Sequence, residues 1–144
     1  MNITIPTVST AIFLISIIIG IAVPAASFYF VKKAGGSNSR AFWYGCAVYI
    51  VFALLLENIV NTSVLTSPLG LVIQKSAAAY GIYAGLMGAL FEDIGRFLAF
   101  KLIIKKLGTN DRNALLYTVG HGSTDGFYFR CLPKILFCIL LLFL

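Results

Sequence analysis

The sequence predicts an all-α integral membrane protein, a polytopic bundle of about four membrane helices with an apolar C-terminal tail. Hydrophobic residues make up 60% of its 144 residues, whereas soluble domains average roughly 45–50% apolar residues. Long apolar runs alternate with short polar or basic loops, and about 20 apolar helical residues suffice to cross the hydrocarbon core of a bilayer. We therefore expect residues 1–144 to form a single integral membrane domain.

Four apolar segments are long enough, or nearly so, to form the membrane helices. We expect these helices at about residues 8–31, 41–60, 76–104 and 113–129. Pro24 predicts a kink in the first helix, a polar stretch ending at Pro68 predicts a loop, and residues 130–134 predict a further break. The apolar tail at 135–144 is too short to span a bilayer, so we expect a chain truncated at its C-terminus.

Basic residues are concentrated around two of the loops. They are Lys32, Lys33 and Arg40 in the first loop, and Lys101, Lys105, Lys106 and Arg112 around the third. Cytoplasmic loops carry an excess of Lys and Arg, so we expect both loops in the cytoplasm of a bacterium and the N-terminus outside its plasma membrane. No basic residue precedes the first apolar run, which favours a retained helix over a signal peptide. The net charge of +6 is therefore explained by membrane orientation. We expect membrane lipid, and no nucleic acid, as a partner.

The most informative stretch is Glu92-Asp93-Ile94-Gly95-Arg96, which lies inside the third apolar segment. A charged side chain at membrane depth costs about 2.5–3.5 kcal/mol on insertion scales, and such residues usually face a protein interior or a water-filled cavity. On a helix, Arg96 can pair with Glu92 four residues before it or with Asp93 three residues before it. The cluster predicts either a functional site with one available carboxylate or a structural ion cluster that locks helix packing.

The only histidine of the chain, His121, adds to this prediction. Glu92 lies nine residues before Lys101 and His121 lies nine residues after Arg112, so both are expected about 13 Å into the membrane. A short connection makes the third and fourth helices antiparallel neighbours, and the two side chains should then share one site. Asp125, four residues after His121, is a candidate to orient or charge the imidazole.

Glycines suggest where helix backbones approach one another. Gly81, Gly85 and Gly88 are spaced four and three residues apart, a spacing of small residues that lets membrane helices pack closely. Gly120 and Gly122 flank His121 and predict a thinned or unwound fourth helix at that point.

The residues leave open whether a metal is bound. A catalytic zinc ion takes three protein ligands, yet the chain has one His and no H-E-x-x-H motif. Glu92 and His121 are the first candidate ligands, with Asp93, Asp125 or Glu57 as possible additions. Activation of water by Glu92, with His121 stabilising the oxyanion, needs no metal and uses fewer groups.

Two motifs carry a family resemblance. Glu92-Asp93-x-x-Arg96, followed by Tyr117-x-x-x-His121, resembles the motif order of the CAAX-prenyl-protease-like (CPBP) intramembrane proteases. Gly95-Arg96 and Gly120-His121-Gly122 resemble more closely the YhfC family of intramembrane metalloproteases in that superfamily. The resemblance implies a polytopic membrane protein that hydrolyses peptide bonds of a membrane-associated peptide or protein. It also implies that Glu92 activates water, that Asp93 and Arg96 support it, and that His121 is an electrophilic or metal-ligating group.

The sequence departs from the family pattern at three points. Asp93 stands where the common pattern has a second Glu, the spacing from the acidic residues to Arg96 is one residue shorter than in the prenyl-protease branch, and no His follows His121. Three alternatives therefore accompany the peptidase hypothesis: an inactive truncated member of the family, a transport or ion-relay protein that uses the same ionisable residues, and a scaffold in which the charges only hold helices together.

Overall fold

A computed structural model describes residues 7–108 and 110–136, and every regular element within them is helical. The all-α prediction is thus confirmed. The helices are α1 (Thr7–Lys33), α2 (Arg40–Leu65), α3 (Pro68–Gln74), α4 (Ala77–Leu102) and α5 (Asp111–Gly126). A 3₁₀ turn at Ile104–Leu107 precedes α5, and a π-helical segment at Phe127–Cys131 extends it.

Two of the helices are long and apolar enough to cross a membrane within the described part of the chain. They comprise residues Ala11–Lys33 of α1 and Arg40–Leu65, the whole of α2. α4 has 26 residues but carries the charged cluster, and α5 has only 16 residues, so neither is confirmed as a membrane helix. A bundle of four membrane helices stays a prediction.

α2 is longer than the sequence predicted. The polar residues after position 60 remain helical to Leu65 because their side chains find partners on the helices. Asn61 donates to Glu57 Oε1 at 3.2 Å and accepts from the Tyr83 hydroxyl of α4 at 2.8 Å. A polar stretch that we expected to be a loop is therefore part of the contact between α2 and α4.

The C-terminal end also differs from expectation. Residues 130–134, predicted as a break, belong to the π-helical segment Phe127–Cys131 and to the helical residues that follow it. Of the predicted tail, residues 137–144 lie outside the described residues.

The tightest helix contact joins α2 to α5. A Cβ atom added to Gly120 would overlap the backbone carbonyl of Phe42, and one added to Gly45 would overlap the Tyr117 carbonyl and lie 2.7 Å from the His121 backbone nitrogen. Early residues of α2 meet early residues of α5, and later residues meet later ones, so the two helices run parallel. Gly120 therefore serves close packing within an intact helix rather than the unwinding that we expected.

The first and third loops meet at one end of the bundle. The Arg112 guanidinium donates to the carbonyls of Ala34 and Gly35, and Asn110 Nδ2 donates to the Gly36 carbonyl at 2.8 Å. The buried Asn113 side chain accepts from the backbone N–H of Asn38 at 2.7 Å. The two basic loops thus lie on the same side, as the charge pattern predicted, and these contacts fix the start of α5 beside the start of α2.

α4 packs differently from the way its glycines suggested. A Cβ atom at Gly81 or Gly85 would meet no described atom within 4 Å, while one at Gly88 would lie 3.9 Å from Glu57 Oε1 of α2. Gly95 packs more closely: its Cβ would lie 2.9 Å from Cγ of Phe52 in α2. The sequence showed which glycines are regularly spaced but not which of them face a neighbouring helix.

Candidate functional site

The structure brings the Glu92 and His121 side chains together. Glu92 Oε2 lies 3.8 Å from His121 Nε2, across the space between α4 and α5. One to two turns away, the rings of Phe100 and Tyr117 contact each other with centroids 5.0 Å apart. Residue numbers fall along α4 as they rise along α5, so the helices are antiparallel, as predicted. Their close backbone contacts, however, are with α2 rather than with each other.

α4 holds Glu92 in place through one buried face and one ion-pair cluster. Gly95 and Ala99 are the buried residues of this helix, and Gly95 allows it to approach Phe52 and Val48 of α2. Because Glu92 is three residues before Gly95, it lies on nearly the same helix face. The carboxylate consequently points along the bundle interior towards His121.

Arg96 binds both acidic residues of the cluster at once. Its Nη2 donates to Glu92 Oε2, and its Nη1 lies 3.4 Å from Asp93 Oδ1. The Asp93 side chain is 75% exposed while that of Glu92 is 31% exposed. The sequence left open which carboxylate Arg96 pairs with. In the structure it pairs with both, and Glu92 is the one that also faces the imidazole. Asp93 lies at the outer edge.

His121 is enclosed by two tyrosines. Its ring meets the Tyr49 ring edge-on with centroids 5.0 Å apart and lies 5.9 Å from the Tyr117 ring. The residue is only 4% exposed, and neither ring nitrogen has a hydrogen-bond partner among the described residues. A buried polar atom without a partner costs about 1–3 kcal/mol. Most buried polar atoms in folded proteins have a hydrogen-bond partner, so the two imidazole nitrogens stand out among the described residues.

Asp125 does not contact His121 in the way that the sequence suggested. Its Oδ1 accepts a hydrogen bond from the Tyr49 hydroxyl at 2.8 Å, although four-residue spacing places both residues on one side of α5. Tyr49 thus stands between them: its hydroxyl binds the carboxylate and its ring packs on the imidazole. The contact of Asp125 with His121 is therefore indirect, through this side chain.

Sequence reasoning missed Tyr49. It is 1% exposed and belongs to α2, the helix that contacts both α4 and α5. The chain has seven tyrosines, and nothing in the apolar pattern around position 49 distinguishes this one. The reason becomes visible only in the structure. One turn before Tyr49, Gly45 lies against the backbone of Tyr117 and His121, and this contact brings the Tyr49 ring next to the imidazole.

The described residues do not complete a zinc site. Glu92 and His121 are two suitable donors, but no group of three His, Cys, Asp or Glu side chains comes together in residues 7–108 and 110–136. Asp125 accepts from Tyr49, and Asp93 is turned outwards. A catalytic zinc ion needs three protein ligands, so these side chains alone do not fit one. The pair instead has the parts of an acid–base site: a carboxylate to accept a proton and an imidazole to donate one.

Comparison with known proteins agrees with the motifs. The sequence model of the YhfC intramembrane metalloprotease family matches residues 18–143. A Bacillus subtilis (strain 168) protein described as "Uncharacterized membrane protein YhfC" is 29% identical over 118 residues, which cover 81% of this chain and 45% of the relative. The chain therefore spans less than half of the length of that relative. No solved structure matches at a significant level. The family match covers most of the sequence, and the chain belongs to the YhfC intramembrane metalloprotease family.

Proposed function

We propose that this chain carries the Glu92–His121 pair of an intramembrane peptidase, which hydrolyses peptide bonds of a membrane-associated peptide or protein. The observation that supports the proposal is the 3.8 Å approach of Glu92 Oε2 to His121 Nε2, with both imidazole nitrogens lacking partners in the described part of the chain. A packing role alone does not explain a buried imidazole without hydrogen bonds.

In the proposed reaction the Glu92 carboxylate takes a proton from water as the water oxygen attacks the scissile carbonyl carbon. The carbonyl oxygen becomes an oxyanion, and an N–H of His121 donates a hydrogen bond to it. Glu92 then returns the proton to the leaving amine as the C–N bond breaks. The two products are a carboxylic acid and an amine, and neither side chain is changed at the end of the cycle.

Neighbouring residues have positioning roles in this proposal. Arg96 holds the Glu92 carboxylate and, with Asp93, keeps the charges of the cluster close to balance. The Tyr49 ring fixes one side of the imidazole, and Asp125 fixes Tyr49. The family is one of metalloproteases, but the described donors alone do not fit a metal, so no step of the proposed reaction is assigned to one.

Reconstituted protein tests the proposal. The purified chain in proteoliposomes is mixed with quenched-fluorescent transmembrane peptides, and products are identified by mass spectrometry. We expect Glu92→Gln and His121→Ala each to lower cleavage by at least about 100-fold, the lower range of a general acid–base contribution. Glu57→Gln is the matched control, because this membrane-helix carboxylate binds Asn61 and keeps the pair intact.

The fold of each variant is checked by size-exclusion chromatography and helical circular dichroism. Cleavage by both variants at the wild-type rate would contradict the assignment of the pair. A folded wild-type chain that cleaves none of the peptides would also contradict it and would favour the inactive family member.

A proton or ion relay is the second candidate. The observation that favours it is Asp125, a carboxylate on a bundle helix that lies outside the Glu92–His121 pair and binds a tyrosine hydroxyl. Intramembrane carboxylates often mark proton paths. Proteoliposomes loaded with a pH-sensitive dye distinguish the two functions: flux that disappears in Glu92→Gln, without peptide cleavage, supports the relay.

A further inference from the structure

The cavity beside Asp125 is separate from the Glu92–His121 pair. It has a volume of about 610 Å³ and lies between α1, α5 and the helical residues that follow α5. Its wall includes Ser16, Gly122, Asp125 and Lys134 together with the apolar side chains of Ile19 and Val23, which are 55% and 57% exposed. Such a space is large enough for many water molecules, each of which takes about 30 Å³ in the liquid.

The wall of this cavity holds two charges of opposite sign. The Lys134 ammonium lies 5.8 Å from the Phe13 ring centroid on the α1 side, and Asp125 lies on the α5 side. The described residues show no ion pair between them within 4.0 Å. A charged group at membrane depth usually faces a protein interior or a water-filled cavity rather than lipid, and these two charged side chains face the same space between α1 and α5.

Glycines keep the α5 wall of the cavity open. A Cβ atom added to Gly122 or Gly126 would meet no described atom within 4 Å. These two positions are four residues apart and lie on one face of α5, next to Asp125. The open face allows water to reach the carboxylate.

Two side chains connect this cavity to the pair. The Tyr49 hydroxyl binds Asp125 Oδ1 at 2.8 Å, and the Tyr49 ring lies 5.0 Å from the His121 ring. The path from the cavity to the imidazole therefore passes Asp125, which lines the cavity, and then Tyr49.

We propose that this cavity holds water within the bilayer, hydrates Asp125, and supplies the water that is used at the Glu92–His121 pair. The supply role rests on the proposed peptidase function, whereas the presence of water does not. The cavity is then a solvent site of the chain, distinct from the place where the peptide bond is cleaved.

Cysteine labelling tests whether the cavity is wet. Single cysteines are placed in a variant in which Cys46, Cys131 and Cys138 are replaced by Ala, and sealed vesicles are treated with the membrane-impermeant thiol reagent MTSET. Ser16→Cys lines the cavity, while Ile18→Cys on the same helix replaces a side chain that is 64% exposed and faces lipid. Only a thiolate reacts and thiolates form in water, so we expect Ser16→Cys to react at least about tenfold faster.

A second pair of positions repeats the comparison on α5. Gly122→Cys lines the cavity, and Leu115→Cys replaces a side chain that is 56% exposed on the outside of the helix. Equal labelling rates within both pairs would overturn the proposal that the cavity holds water. Faster labelling of both cavity positions supports it, whether or not the chain cleaves peptides.

Blocking the cavity tests the supply role. The rate at which unlabelled Ser16→Cys cleaves the transmembrane peptides, in the same cysteine-free background, serves as the reference. After MTSET labelling, the bulky adduct fills the cavity, and we expect cleavage to fall by about tenfold or more, while treated Ile18→Cys keeps its rate. Unchanged cleavage after complete labelling would overturn the supply role and leave the proposed peptidase function standing. A wild-type chain without activity contradicts the peptidase function instead, and with it the supply role.

Discussion

The two sides of the candidate site are held in different ways. His121 lies at the contact between α2 and α5, where Gly45 and Gly120 let the backbones touch. Glu92 lies on α4, which touches α2 through Gly95 but leaves Gly81 and Gly85 without neighbours in the described part of the chain.

The difference indicates which half of the site is rigid. A backbone-to-backbone contact has no side chain that can change rotamer, so the imidazole is positioned by the main chain of two helices. The carboxylate is positioned mainly by its ion pair with Arg96, whose side chain is 45% exposed. That ion pair lies within α4, and exposed ion pairs contribute about 0–1 kcal/mol, so it constrains the carboxylate less than the backbone contact constrains the imidazole.

The largest effect is expected where the backbones touch. Gly120→Val would force a side chain into the Phe42 carbonyl, and we expect a loss of about 3 kcal/mol or more in the free energy of unfolding, the upper range for overpacking. Gly122→Val is the matched control, because a Cβ there meets no described atom. Thermal unfolding in detergent, followed by circular dichroism, measures both; equal midpoints would disprove the close contact.

A smaller effect is expected from the tyrosine hydroxyl groups. Tyr49→Phe leaves Asp125 Oδ1 without its donor at 2.8 Å, which should lower the free energy of unfolding by about 1–2 kcal/mol. Tyr83→Phe removes the 2.8 Å bond from α4 to Asn61 of α2. Tyr83 is less buried than Tyr49, so water can replace that bond and the loss should be smaller. If Tyr83→Phe lowers the free energy of unfolding more than Tyr49→Phe does, the hydrogen bond that joins α4 to α2 is the stronger of the two.

The smallest effect concerns the open face of α4. Gly85→Ala adds a methyl group where no described atom lies within 4 Å and should stabilise the helix by about 0.5–1 kcal/mol, because alanine loses less backbone entropy than glycine. Gly95→Ala is the contrasting variant, since its Cβ would lie 2.9 Å from Phe52 Cγ. Unfolding midpoints should move in opposite directions; a destabilised Gly85→Ala would mean that another surface packs against α4.

The proximity of Glu92 and His121 could be predicted from the sequence because it follows from the fixed rise per residue of an α-helix. The helical rise of 1.5 Å per residue converts a spacing in sequence into a depth in the membrane, and the depths are counted from the basic residues Lys101 and Arg112. Because the two helices are antiparallel, residues at the same depth on each of them lie next to each other. The catalytic roles of the two residues were not open to this reasoning and stay a proposal.

The helix that lies between α4 and α5 could not be predicted in this way. Depth says nothing about rotation, and in a membrane helix both the lipid face and the packed face are apolar, so hydrophobic periodicity does not show which side meets a partner. Gly45 and Tyr49 were missed for this reason, and Gly120 was expected to unwind its helix rather than to pack against α2. Of the regularly spaced glycines of α4, Gly81 and Gly85 meet no described atom, whereas Gly88 lies 3.9 Å from Glu57 Oε1 when a Cβ atom is added.

Two π-helical segments begin at the same level of the bundle. Ile50–Leu56 follows Tyr49 directly in α2, and Phe127–Cys131 begins two residues after Asp125 at the end of α5. In a π-helix the hydrogen bonds run to the fifth residue, so each such bulge adds a residue to a turn. One added residue turns all later side chains by about 100° relative to an uninterrupted α-helix.

The two parallel helices therefore change rotational phase together, at the Tyr49–Asp125 hydrogen bond. Before this level, Gly45 and Gly120 turn the helices towards each other; beyond it, Asn61 of α2 meets Tyr83 of α4, and Cys131 lies against Gly20 of α1. The hydrogen bond thus joins the two helices at the level where both change from α-helical to π-helical hydrogen bonding. A change in length of the segment in α2 would keep the Gly45–Gly120 contact but rotate the residues beyond it, including Phe52, which packs on Gly95 of α4.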